Sequence, residues 1–142
     1  MTERILPIYP SPDDLVFLID AMIDVAGSYS RGILYRFGEH LGERYASRIE
    51  SEGLFSGEPM RAILGTLGAS GWFHEFSLDV DQQGARIMLR RPFEMASRAS
   101  DCDLMRGFLS GIGRVFQGLP TFYTETREND WSTFIGTLEA EK

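Results

Sequence analysis

Few side chains in this sequence could do chemistry, and their spacing argues against most reactions. His40 and His74 are the two histidines and Cys102 the one cysteine of 142 residues. A histidine could join a carboxylate such as Glu39 or Glu75 at a metal, but neighbours alternate across a strand, so His74 and Glu75 point to opposite faces. His74 falls between Trp72 and Phe76 in an alternating run, which reads as a core histidine and as the best polar candidate inside a pocket. Cys102 is flanked by Asp101 and Asp103, whose charges oppose thiolate formation; a small packing residue at a helix start is the expectation. Asp79 and Asp81 read as solvated turn residues. No glycine-rich phosphate loop, nucleophile elbow or spaced ligand set is present, so no catalytic residue, metal or cofactor is expected.

The elements that would position these residues follow from hydrophobic period. Ser11 caps a helix over about 12–26, with Pro12 in its first turn and Leu15, Leu18, Ile19, Met22 and Ile23 along one face. A second helix, about 29–51, lines up Leu34, Phe37, Leu41 and Tyr45. Gly38 and Gly42 lie beside that stripe, each at roughly 1 kcal/mol below alanine in a helix. Such residues suit the close approach of another helix or of a ligand, the former being the plainer reading. After a loop at 53–57, Pro59 opens a short third helix with Met60, Ile63, Leu64 and Leu67.

From Trp72 the period changes to two, giving a half-buried strand to Val80, a turn at Asp81–Gly84 and a partner strand with Ala85, Ile87 and Leu89 inward. A glycine-rich helix over about 103–118 carries Leu104, Phe108, Ile112, Val115 and Phe116. Strands at about 120–127 and 131–138 close the chain around Glu128-Asn129-Asp130. The expected fold is α+β: helices on one face of a twisted antiparallel sheet, order ααα-ββ-α-ββ, one domain over 1–142 with an extended segment at 1–10.

Composition agrees with one globular domain: 43% hydrophobic, 25% charged, with ten Phe, five Tyr and two Trp for a core. A net charge of −7 disfavours contact with a phosphate backbone, so nucleic acid is not an expected partner. The lone cysteine excludes an internal disulfide. The opening lacks a signal-like apolar stretch and no run approaches a membrane span, so a cytoplasmic location is expected.

Pro92-Phe93, Cys102, Gly107-Phe108-Leu109-Ser110-Gly111, Gly118 and Glu125 follow one another in an order that resembles the 4-vinyl-reductase (V4R) domain. That domain is related to the Bet3-like subunits of the Golgi tethering complex and, further off, to haem nitric-oxide sensors. The segment from Gly32 to Gly42 is similar to the family's earlier glycine-bearing helix, so the resemblance covers most of the chain. It implies a ligand-binding or docking domain, usually dimeric, with an apolar cavity beneath helices on a sheet; occupants in different branches are acyl chains, aromatic inducers or tetrapyrroles. In that family the glutamate is often followed by two cysteines that bind zinc in some members. Here Glu125 is followed by Thr126 to Phe134 without a cysteine, so the metal role is not carried over. Ser28-Tyr29-Ser30-Arg31 resembles the propionate-holding group of the haem sensors, but its spacing is one residue too tight at each step.

These readings converge on a non-catalytic homodimer that senses or carries a small hydrophobic molecule. Leu34, Phe37, Leu41, Trp72, Phe76, Phe108 and Ile112 are the expected walls, with His74 or Tyr35 giving polar specificity. An interaction scaffold without a ligand, and a tetrapyrrole-related reductase or its accessory protein, stay as alternatives. The first would show an apolar surface patch around the second helix without an internal cavity; the second would need a borrowed cofactor.

Overall fold

A computed structural model of the chain describes residues 11–52 and 58–138. The expected extended opening at 1–10 and the loop at 53–57 lie outside the described residues. The order of elements is α1 (Pro12–Ala26), α2 (Ser30–Glu52), α3 (Pro59–Ala69), β1 (Glu75–Val80), β2 (Gly84–Arg90), α4 (Asp103–Val115), β3 (Tyr123–Glu128) and β4 (Trp131–Thr137). Short 3-10 turns at Gly27–Tyr29 and Phe93–Ala96 join α1 to α2 and precede α4. This is the α+β architecture the hydrophobic period predicts.

Local chemistry sets the boundaries. The Ser11 side chain accepts the Asp14 N–H at 3.2 Å, and Pro12 follows it in the first turn, where a missing N–H costs nothing. Asp81 Oδ1 accepts the N–H groups of Gln83 and Gly84 at 2.7 and 3.1 Å and so builds the β1–β2 turn. At the β3–β4 turn, Asn129 takes the left-handed conformation (φ 57°) that asparagine tolerates better than most residues.

The four strands form one antiparallel sheet in the order β1-β2-β4-β3. Register places three rows of side chains on its buried face. Phe76, Leu89, Ser132 and Arg127 make one row; Leu78, Ile87, Phe134 and Glu125 the next; Val80, Ala85, Gly136 and Tyr123 the last. Ile87, Leu89 and Phe134 are fully buried. The third row ends on a close packing in which Tyr123 and Pro120 fill the space in front of Gly136.

The helical layer is organised by one seam. A Cβ on Gly38 or Gly42 of α2 would collide with the carbonyl oxygens of Leu104 or Phe108 in α4. Reciprocally, one on Gly107 or Gly111 of α4 would collide with the carbonyls of Tyr35 or Glu39. Two glycine pairs at spacing four therefore interlock the backbones of α2 and α4, which run in the same direction. The helix–helix reading of these glycines holds. Arg114 pairs with the buried Glu39 and, at 3.0 Å, with Glu43, while Arg31 spans Asp101 and Asp103 at 2.9 and 3.0 Å, so ion pairs close both ends of the seam.

Candidate functional site

The chain leaves α3 through a turn in which Trp72 N–H donates to Leu67 O at 3.0 Å, and Trp72 O accepts the Phe93 N–H at 2.8 Å. These two bonds fix Trp72 in the interior with Phe93 at its side. The ring centroids of Trp72 and Phe93 are 5.1 Å apart at an edge-on 76°, and Phe108 of α4 lies 5.1 Å away on another side. Tyr45 of α2 packs on Phe108 at 6.1 Å. Leu34 and Ile112 belong to the same buried cluster, with Leu41 and Phe76 packed half-buried against it.

Polar atoms in this aromatic interior are short of partners. Trp72 Nε1 is buried and has no hydrogen-bond partner. Tyr45 Oη is buried without a hydrogen bond of good geometry. Burial raises the Tyr45 pKa, against the opposing pull of the Thr66 hydroxyl and the Arg48 charge. An unmade hydrogen bond at a buried donor costs about 1–3 kcal/mol. Tyr123 Oη is a third buried atom without a partner, its pKa raised by burial, at the far row of the sheet.

An open cleft of about 650 Å³ lies beside this interior. It is lined by Phe93, whose ring also packs on Trp72, and by Pro12, Val16, His74, Arg91 and Met95. Arg91 holds a left-handed backbone (φ 48°) directly before Pro92, an unusual conformation for an arginine, and its N–H donates to Asp130 O at 2.7 Å.

Set against the expected walls, the structure brings Trp72 and Phe108 into direct contact, in one cluster with Leu34 and Ile112. His74 is a correction: its side chain is exposed on the cleft, not in the core. Trp72 and Phe73 are both buried because the chain is still turning out of α3, and strand alternation starts only at Glu75, after the His74 N–H bonds to Arg90 O at 2.8 Å. Tyr35 stands at the outer edge of the α2–α4 seam, donating to Ser110 Oγ at 3.1 Å with Arg106 over its ring at 4.2 Å. Phe37 is 38% exposed. Tyr29 is exposed and Arg31 is committed to Asp101 and Asp103, so that run does not converge on the aromatic interior.

Sequence reasoning passed over Phe93 and Tyr45 as parts of the site. Tyr45 could have been found, since it continues the stripe of Phe37 and Leu41 by one more step of four. Phe93 lies in a 3-10 turn, where no periodic signal exists.

A second polar group gathers at the start of α4. Glu94 is fully buried, and its carboxylate oxygens accept the N–H groups of Leu104 and Met105 at 3.0 and 2.9 Å. Burial pushes its pKa up to about 8 against the two amide bonds, which favour the charged form. Cys102 is fully buried beside it, and burial raises the thiol pKa strongly, followed by the charges of Glu94 and Glu125. The direction agrees with the sequence reading, but the cause is burial and not Asp101 or Asp103. Among the described residues, no group of three or more His, Cys, Asp or Glu could hold a metal. No helix among them is long and apolar enough to cross a membrane.

Fold and site together define a helix-on-sheet α+β domain whose interior is an aromatic cluster beside an open cleft. No family model matches the sequence, and no curated protein matches it. Among solved structures the chain is similar in fold to the phenol-responsive sensory domain of the transcription activator PoxR with phenol. The TM-score is 0.64 at 17% identity, over 92% of this chain and 76% of that one. The two share a fold across most of this chain.

Proposed function

We propose that this chain is a sensory or carrier domain for a small aromatic or apolar molecule bearing a hydrogen-bond acceptor. The observation that carries this reading is Trp72 Nε1, a fully buried donor with no partner inside an aromatic cluster. An occupant whose oxygen accepts this N–H relieves the penalty, while its apolar surface is buried against Phe93 and Phe108. Phe93 separates the cluster from the open cleft, so admission of the occupant means rotation of that ring. The structural similarity to a phenol-responsive sensory domain supports the same reading. His74 then acts at the mouth and not at the bound molecule, and the half-buried walls Leu41 and Phe76 contribute contact from the sides.

Calorimetry with phenol and toluene on the wild type and on Trp72→Phe tests this. Saturable phenol binding is expected, with toluene weaker by about tenfold, the worth of one hydrogen bond of about 1.4 kcal/mol. Trp72→Phe removes most of that discrimination. Equal binding of both compounds to the wild type, or none of either, contradicts the proposal.

A homodimer or protein-docking role has its own observation. Tyr29, Ile33 and Phe37 recur at steps of four on the outer side of α2 and its preceding turn, 80%, 45% and 38% exposed, with Phe17 and Val25 of α1 also exposed. Light scattering on the wild type and on Ile33→Glu reads it directly: a dimer that the substitution splits supports a self-association face, and a monomer at all concentrations removes it.

A further inference from the structure

At the start of α4, three elements meet around a single guanidinium. Glu125 of β3 accepts the Cys102 N–H at 2.8 Å with one oxygen and the Ser132 hydroxyl at 2.7 Å with the other. Cys102 Sγ lies 3.6 Å from Ser132 Oγ and accepts a hydrogen bond from Arg127 Nη2 at 3.0 Å. The same Arg127 nitrogen stands 3.6 Å from Glu125 Oε2. Arg127 and Ser132 are direct partners across the β3–β4 ladder, and Glu125 is two residues from Arg127, so all three side chains leave the sheet on the face that meets Cys102.

A buried thiol beside a carboxylate, with two strand positions facing both, is a geometry that a cation such as zinc takes when those positions supply thiolates or imidazoles. In the domain that the sequence resembles, some members place zinc-binding thiols after this glutamate. The residues here do not fit a metal. Position 127 carries a side chain that is itself a cation with no lone pair to give, and the Ser132 hydroxyl is spent as a donor to Glu125.

We infer that Arg127 serves in this chain as the cation that closes the junction between α4 and the β3–β4 hairpin, making that junction a metal-independent clasp. One planar guanidinium reaches a sulfur on the helix side and a carboxylate on the strand side, and the carboxylate in turn holds the Cys102 amide that leads into the helix. Burial opposes the Arg127 charge and the Glu125 and Asp101 carboxylates support it, so the guanidinium stays charged. The clasp adjoins the proposed binding interior through Glu94, which follows Phe93 and accepts the Leu104 and Met105 amides of α4. It stands independently of what that interior binds.

The test is metal analysis and thermal unfolding of the chain purified without chelator. Stoichiometric metal is not expected, and neither EDTA nor added zinc chloride should move Tm. Arg127→Gln, which keeps hydrogen-bonding capacity and removes the charge, should lower Tm by several degrees, and Arg127→Lys should recover part of the loss. One zinc per chain, or a Tm that falls with EDTA, overturns the inference without any variant having to fold. A Tm for Arg127→Gln equal to that of the wild type overturns the role given to the charge.

Discussion

The middle and the start of α4 are held by opposite kinds of interaction. In the middle, Gly107 and Gly111 meet Gly38 and Gly42 of α2 with backbone against backbone, and the contact is steric. At the start, Glu94, Cys102, Glu125, Arg127 and Ser132 form a buried polar junction whose every hydrogen bond depends on a particular atom. The steric seam tolerates almost no added volume. The polar junction has room for isosteric change but responds to protons and charge. One helix is thus located by shape along its length and by chemistry at its end.

The largest expected break is in the seam. Gly42→Ala forces a Cβ into Phe108 O, and since the obstacle is backbone, the helices must part. The expected cost is about 3 kcal/mol, seen as a Tm lower by roughly 10 °C in circular dichroism. An unchanged Tm would mean that α2 and α4 are further apart than described.

The next effect is at the polar junction and depends on pH. Glu94 has a folded-state pKa raised to about 8 from an ordinary 4.5. Between these values the folded chain binds more protons at this site than the unfolded one, so its contribution to stability falls as pH rises from about 4.5 to about 8 and is flat above. Glu94→Gln, which cannot titrate, should flatten the Tm profile in that window. A profile for Glu94→Gln that parallels the wild type would assign the slope to other groups.

The smallest effect sharpens the contrast from the other side. Gly65 of α3 has open space where a Cβ would go. Gly65→Ala should therefore stabilise the chain by about 0.5–1 kcal/mol, the opposite sign from Gly42→Ala, because only helix propensity and unfolded-chain entropy are changed.

The same contrast explains what could be read from sequence. Close packing of α2 was legible because glycines at spacing four beside an apolar stripe have few other uses in a helix, but not that α4 is the partner; element order followed from the change of period at the hairpins. The polar junction was not legible. Glu94 between Phe93 and Met95 has no local pattern that marks burial, and Arg127 on a strand reads as a surface residue until Cys102, distant in sequence, is placed beside it. His74 went wrong for a local reason, since alternation was extended three residues before the strand begins, into the turn that Trp72 makes with Leu67. The aromatic cluster was legible only in part: Phe108 falls on a periodic helix, whereas Trp72 and Phe93 reach it from turns.

The central claim, that the Trp72 donor awaits an acceptor, can be observed at one atom. The chain has two tryptophans, so its ¹⁵N-labelled indole region carries two N–H signals, one from Trp72 and one from Trp131 on β4. Titration with phenol should shift the Trp72 indole signal downfield and saturably while Trp131 stays in place, and the signal assigned to Trp72 should vanish in Trp72→Phe. A Trp72 signal that does not move at saturating phenol, or that moves only together with Trp131, would contradict the account.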